Sequence, residues 1–191
     1  MGLDSVELVV AVERRFNFDI PDREAEQLAT VEAVVAYVCR RQQIPADSAP
    51  PAIFGQLLER VMGCVQQVTG AASLVASTRL DALWLPENLD AGMLQLRNCL
   101  GMPLPDLLTP RKGIGLWLYG PRQLRKSDYE AKTLADVVDW LLALHHPQLL
   151  FEAATRYEVE RIVVGITSFI SGVGVEEIKL TDSFTRDLGI D

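Results

Sequence analysis

The closing residues of this 191-residue chain read directly on into its opening residues. Residues 187–191 have the sequence DLGID, residues 2–8 have the sequence GLDSVEL, and joined tail to head they form one loop followed by a helix start. An amphipathic pattern over residues 4–17 continues that helix, with apolar side chains at spacings of three and four: Val6, Leu8, Val9, Val12 and Phe16. Residues 4–17 are therefore predicted to form an amphipathic helix.

Helical patterns separated by loops account for most of the remaining sequence. Pro21 is expected to stop the first helix, and Thr30 is a good N-cap for a later one. The further helices are predicted at residues 22–28, 31–38, 54–69, 89–100, 134–144 and 157–171. Residues 42–51, with Pro45, Pro50 and Pro51, read as a linker. The sequence thus predicts an all-α fold in two units.

Charge and composition exclude several classes of function. Acidic residues outnumber basic ones by 26 to 18, so the chain should repel nucleic acid and suit basic protein partners. There is no run of 18 apolar residues and no leader pattern, which predicts no membrane span and a cytoplasmic location. Cys39, Cys64 and Cys99 are expected to be buried, reduced hydrophobes. His145 and His146 have no ligand partners at suitable spacing, so no metal site is expected, and nothing in the sequence indicates an enzyme.

A family resemblance rests on motifs at both ends of the chain. The opening 41 residues contain VELV at 6–9, Glu13, Phe16, IPD at 20–22, EAE at 24–26 and TV at 30–31. The closing residues 157–191 contain an amphipathic helix, Gly172, DSF at 182–184 and DLGID at 187–191. The first set resembles the second half of an acyl carrier protein and the second set resembles its first half. This resemblance implies a carrier domain in permuted order, formed by residues 1–44 and 151–191.

The resemblance implies that a serine carries a 4′-phosphopantetheine arm, and two registers compete for its position. Counting back from residues 6–8 places the arm at Gly2, which has no hydroxyl. Reading residues 2–6 as a short Gly-x-Asp-Ser-Val signature places it at Ser5 instead, with Leu3, Asp4 and Asp191 beside it. The arm is implied as cofactor only where a modifiable serine is present.

Partners follow from the same resemblance. Glu7 and Glu13 are expected to contact basic patches on synthase or acyltransferase enzymes, and a phosphopantetheinyl transferase would load the arm. Arg14 and Arg15 reduce the negative charge of this helix, which departs from the family pattern. Residues 157–191 are expected to close either on the opening residues of the same chain or on those of a second copy, giving an exchanged homodimer.

Residues 52–147 resemble a degenerate second carrier, so the fold implied is two acyl-carrier-like four-helix bundles. The sequence NLDA at 88–91 lies where the arm-bearing serine would be expected, and it contains none. An insertion at 103–132 has no counterpart in the family. The implied function is carriage of acyl or polyketide intermediates in fatty acid or polyketide biosynthesis. The alternative is an unmodified pseudo-carrier that acts as a binding or scaffold module.

Overall fold

A computed structural model describes residues 2–45, 50–85, 87–105 and 132–190. The described residues are helical and contain no named strand, which confirms the all-α class. The helices are α1 (Leu3–Phe16), α2 (Asp22–Ala25), α3 (Val31–Arg41), α4 (Ala52–Thr69), α5 (Leu89–Leu100), α6 (Leu134–Leu144), α7 (His146–Leu149) and α8 (Arg156–Ser171), with a 3₁₀ helix at Leu80–Ala82. The chain divides into two compact units, one formed by Met1–Ile53 with Leu142–Asp191 and the other by Phe54–Leu141.

Helix α8 is the centre of the first unit, where it packs against α1, α3 and α7. It begins with a capping box, because the Thr155 hydroxyl accepts from the Glu158 amide and the Glu158 carboxylate accepts from the Thr155 amide at 2.8 Å. It ends at Gly172, whose positive φ of 67° favours glycine. Its buried face is almost continuous: Val159, Ile162, Val163, Val164 and Ile166. Packing of this apolar face positions the opening helix α1.

The closing segment of the chain, residues 180–190, is hydrogen-bonded to the start of α3. An isolated antiparallel bridge joins Thr30 to Ser183. The first amides of a helix lack partners within it, and here the Val31 amide donates to the Asp182 carbonyl at 3.2 Å and the Glu32 amide to the Leu180 carbonyl at 2.8 Å. The Thr30 hydroxyl accepts from the Ala33 amide at 3.1 Å, as its N-cap prediction requires. Segments about 150 residues apart in sequence therefore complete one helix end.

The second unit contains most of α4, all of α5 and the start of α6. The 3₁₀ helix is fixed against α6 by an isolated bridge between Arg79 and Thr133 and by a 2.8 Å hydrogen bond from the Leu80 amide to the Lys132 carbonyl. The Arg60 guanidinium, on α4, donates to the Leu100 carbonyl at the end of α5 at 2.6 Å. The buried core is mainly aliphatic, with two indoles: Leu57, Val61, Val65, Leu80, Trp84, Leu89, Leu96, Leu134, Val138 and Trp140.

The expectation of three reduced cysteines is wrong for two of them. Cys64 on α4 and Cys99 on α5 form a disulfide across the second unit. Only Cys39, buried in the first unit, is free. A sequence separation of 35 residues carries no signal of such pairing, because the pairing depends on how α4 and α5 are placed in the folded unit.

The chain after the end of α6 differs in detail from the sequence prediction. After α6 ends at Leu144, the chain forms a further short helix, α7. Pro147 lies in the first turn of α7, where its missing N–H removes no helical hydrogen bond. Much of the insertion predicted at 103–132 lies outside the described residues.

Candidate functional site

The N-terminus of α1 is the place where the two predicted registers meet. Gly2 is the N-cap, with an extended conformation (φ −77°, ψ −177°) and no side chain to cap the helix. The Ser5 hydroxyl, one turn further on, donates a 2.9 Å hydrogen bond to the Gly2 carbonyl. Ser5 is half-buried, whereas Leu3 and Asp4 between them are exposed. Ser5 therefore carries the first hydroxyl of the helix, and its oxygen lone pairs remain available.

This helix end favours an anion. The first amides of α1 have no intrahelical carbonyl partner, and the helix dipole places partial positive charge there. A phosphodiester near Ser5 would be stabilised by both effects, as phosphates at other helix N-termini are. Asp4, in the same turn, is exposed and can turn away into solvent.

An apolar cavity of about 290 Å³ lies inside the first unit, and Ser5 is part of its lining. Leu8, Val9 and Val12 of α1 form one wall. The other walls come from residues 20–29, which include α2, from α3 and from the closing segment: Ile20, Ala25, Glu26, Leu28, Ala29, Val34, Phe184, Thr185 and Ile190. The cavity thus depends on both ends of the chain.

Local hydrogen bonds place the closing segment against this cavity. The Phe184 amide donates to the Ala29 carbonyl at 3.1 Å, and the Ile190 amide donates to the Phe184 carbonyl at 2.8 Å. Gly189, with a φ of 68°, permits the turn that directs Ile190 inward, where it is fully buried. Asp191, one of the residues predicted beside the arm, lies outside the described residues.

The predicted partner-binding residues on α1 have different surroundings. Glu7 is exposed beside two exposed apolar side chains, Leu3 (74% exposed) and Val6 (43% exposed). Glu13 is half-buried, and its Oε1 accepts a 2.6 Å hydrogen bond from the Ile20 amide, so it also fixes the chain after α1. The exposed face near Ser5 is therefore mixed acidic and apolar, with Glu7 as its central charge.

Arg15 does not act as a free positive charge on that face. Its guanidinium donates to the carbonyl oxygens of Leu150 and Phe151, the latter at 3.2 Å, and partial burial lowers its pKa. Arg14 stays exposed. The apolar periodicity of α1 gave no indication of the Arg15 contacts, because their acceptors are backbone groups about 135 residues away.

The first turn of α5 in the second unit has no hydroxyl side chain, whereas the first turn of α1 has that of Ser5. Its N-cap is Asn88, whose side chain makes no cap hydrogen bond. One turn on, Gly92 lies against the indole of Trp84, where an added Cβ would be 2.3 Å from Nε1. Trp84 is itself buried and fills the space beside this turn.

Two negative findings apply to the described residues. Within them, no group of three or more His, Cys, Asp or Glu side chains is arranged to hold a metal ion. Nor does any helix in the part of the chain that the structure describes have the length and apolarity needed to cross a membrane.

Comparison with known proteins shows that the part of the chain from α1 into α3 is similar to carrier proteins. Residues 2–38 match the family described as "Phosphopantetheine attachment site". Over 37 residues, the chain is 61% identical to the acyl carrier protein of Wolinella succinogenes and 58% identical to that of Helicobacter hepaticus. Each alignment covers 19% of this chain and 49% of the relative. No solved structure matches the chain.

The chain thus spans about half the length of the curated relatives it matches. Over those residues the similarity is to carrier proteins and not to an enzyme, and the prosthetic group it implies is 4′-phosphopantetheine. Among the residues that the structure describes at this helix end, Ser5 has a hydroxyl that stands at the helix N-terminus and on the lining of an apolar cavity. Gly2 offers the helix end but no attachment atom.

Proposed function

We propose that the first unit is an acyl-carrier-type module that bears a phosphopantetheine arm on Ser5 and holds acyl or polyketide intermediates. One observation carries the proposal: Ser5 stands on the first turn of α1 and lines the apolar cavity. When bound, the arm supplies a terminal thiol that carries the acyl chain as a thioester. The chain's own residues anchor the phosphodiester at the helix end and offer the cavity to the apolar part of the cargo.

The carrier domain in this proposal consists of residues 1–44 and 151–191 in permuted order. It is supported by the hydrogen bonds of Val31 and Glu32 to the closing segment and by the cavity walls that Phe184 and Ile190 contribute. Residues 52–147 are proposed as a degenerate carrier-like domain, supported by the absence of serine at 88–91 and by Trp84 against Gly92. The permuted carrier would operate in the cytoplasm, where the enzymes of acyl-chain synthesis need it.

The exposed face of α1 is the proposed docking surface for partners. Glu7 and Asp4 supply negative charge, and Leu3 and Val6 supply apolar area beside Ser5. Glu13 contributes the carboxylate oxygen that the Ile20 amide leaves free. Such a face suits the basic patches of a synthase, an acyltransferase or a phosphopantetheinyl transferase, because opposite charges speed encounter without requiring tight binding.

A specific observation favours a second candidate function. Gly2 occupies the N-cap, where the family spacing places the arm, and the Ser5 hydroxyl is already hydrogen-bonded to the Gly2 carbonyl. An unmodified pseudo-carrier would keep the cavity and the α1 face but bind partners without a covalent arm.

Intact-mass measurement separates the two candidates. The full chain, Ser5→Ala and Gly2→Ser are each incubated with coenzyme A, magnesium and a phosphopantetheinyl transferase. If Ser5 carries the arm, the unaltered chain gains the mass of one arm and Ser5→Ala gains none. If the unaltered chain gains nothing and Gly2→Ser gains one arm, the pseudo-carrier is supported. Failure of all three, with their helical circular dichroism intact, would reject a carrier-type role for α1.

A further inference from the structure

The disulfide between Cys64 and Cys99 joins α4 to α5, which are also linked by the hydrogen bond from Arg60 to the Leu100 carbonyl. Cys64 lies on the buried face of α4 beside Val61 and Val65, and Cys99 lies one residue before the fully buried Leu100 at the end of α5. Their Cα atoms are 5.7 Å apart, within the usual range for a disulfide. The fold therefore places the two cysteines at a separation that suits the bond.

The two ends of the bridge differ in their access to solvent. Cys64 is buried, with 8% of its surface exposed, whereas Cys99 is half-exposed. A thiolate attacks a disulfide only at a sulfur that it can reach. An external thiol would therefore attack the Cys99 sulfur and release the Cys64 sulfur into the protein.

We propose that Cys64 and Cys99 form a thiol–disulfide exchange site that reacts with small dithiols at Cys99 and reversibly cross-links the second unit. In the first step, a dithiol thiolate bonds to the Cys99 sulfur and the S–S bond breaks, leaving Cys64 as a thiolate that takes up a proton. In the second step, the other thiolate of the dithiol closes its own disulfide and releases Cys99, which takes up a second proton. The protein gains two electrons and two protons, and the dithiol is oxidised.

The structure accommodates the reduced pair. Gln67 Oε1 lies 3.5 Å from the Cys99 sulfur, so a hydrogen-bond acceptor already stands beside the thiol that reduction would create. The main effect of reduction falls on the unfolded chain, because opening the bridge frees a loop 35 residues long. The melting temperature of the second unit should therefore drop on reduction, by about 10 °C or more.

Differential alkylation with mass spectrometry tests the proposal on the full, folded chain. Without reductant, a small maleimide should label neither Cys64 nor Cys99, and after dithiothreitol it should label Cys99 faster than Cys64. Glutathione disulfide should then restore the bridge and its melting temperature. The matched variants are Cys64→Ser, whose Cys99 thiolate should exchange with glutathione disulfide to form a mixed disulfide and release one glutathione, and Cys99→Ser, whose buried Cys64 should react more slowly.

Cys39 is the internal control, because it is free and buried in the first unit. Its labelling rate should be the same before and after reduction of the bridge. Two results would overturn the proposal. One is labelling of Cys64 and Cys99 in protein that has never met a reductant. The other is a bridge that resists dithiothreitol until the chain is unfolded.

Discussion

The backbone amide of Phe184 donates a 3.1 Å hydrogen bond to the carbonyl oxygen of Ala29. Both residues line the same apolar cavity. The bond therefore fixes a wall of that cavity using segments from opposite ends of the chain, and the proposed acyl-binding role of the first unit depends on it.

The cavity gives a direct test of apolar cargo binding. Ala25 is buried on α2 and lines the cavity, so Ala25→Leu should fill part of it. Removing space for one or two methylene groups should weaken binding of a fluorescent polyene fatty acid about tenfold. Ala36→Leu, on the exposed side of α3, is the matched control and should bind as the unaltered chain does. Equal affinity in all three proteins would show that the cavity is not the binding site.

Arg15 connects α1 to the segment after α7. Arg15→Ala removes a cationic donor from the carbonyls of Leu150 and Phe151, which should lower the free energy of unfolding by about 2 kcal/mol. Arg14→Ala, at the exposed neighbour, should change it by less than about 0.5 kcal/mol. Urea unfolding followed by circular dichroism measures both. If the two variants are equally stable, the Arg15 hydrogen bonds do not stabilise the unit.

Two helical glycines should respond to alanine in opposite ways. In Gly165→Ala, the new Cβ on α8 would lie 2.2 Å from the Ala143 carbonyl oxygen, so the melting temperature should fall and stability should drop by about 2 kcal/mol. In Gly63→Ala, on α4, the Cβ meets nothing within 4 Å, and helix propensity should raise stability by about 0.5–1 kcal/mol. Thermal melts of both variants give the comparison. A stabilised Gly165→Ala would show that the end of α6 does not pack against α8 as described.

His146 should make the free energy of unfolding depend on pH between about 4 and 6.5. Burial, with a smaller contribution from the Arg15 charge, lowers the pKa of His146 from 6.5 to about 4. The unfolded chain therefore binds the proton more readily, so the stabilising effect of neutral His146 is complete above pH 6.5 and is lost as the pH falls towards 4. The free energy of unfolding should fall by about 1–3 kcal/mol over this pH range, since the side chain is only partly buried and solvent screens its charge. His146→Gln should flatten this part of the urea-unfolding profile, and an unchanged slope would contradict the assignment.

The helices could be predicted from the sequence because their signals are local. Thr30, Gly70 and Gly172 act as caps or stops as their residue types suggest, and the helix limits agree to within one to three residues. The hydroxyl at Ser5 and the two competing registers were also visible in the sequence.

Long-range contacts could not be predicted in the same way. The Cys64–Cys99 bridge and the Arg15 hydrogen bonds depend on how helices pack, and neither sequence spacing nor periodicity carries that information. The family pattern likewise shows that Glu7 and Glu13 are acidic positions on α1. It does not show that Glu13 is engaged by the Ile20 amide.

The pairing of the two chain ends is the central claim, and isotope-filtered nuclear Overhauser measurements test it most directly. The antiparallel bridge between Thr30 and Ser183 should give cross-peaks between the two segments in uniformly labelled protein. In a sample mixed from labelled and unlabelled chains, the filtered spectrum should show none between molecules. Absence of the cross-peaks in the first sample, or their appearance between chains in the second, would contradict a carrier unit closed within one chain.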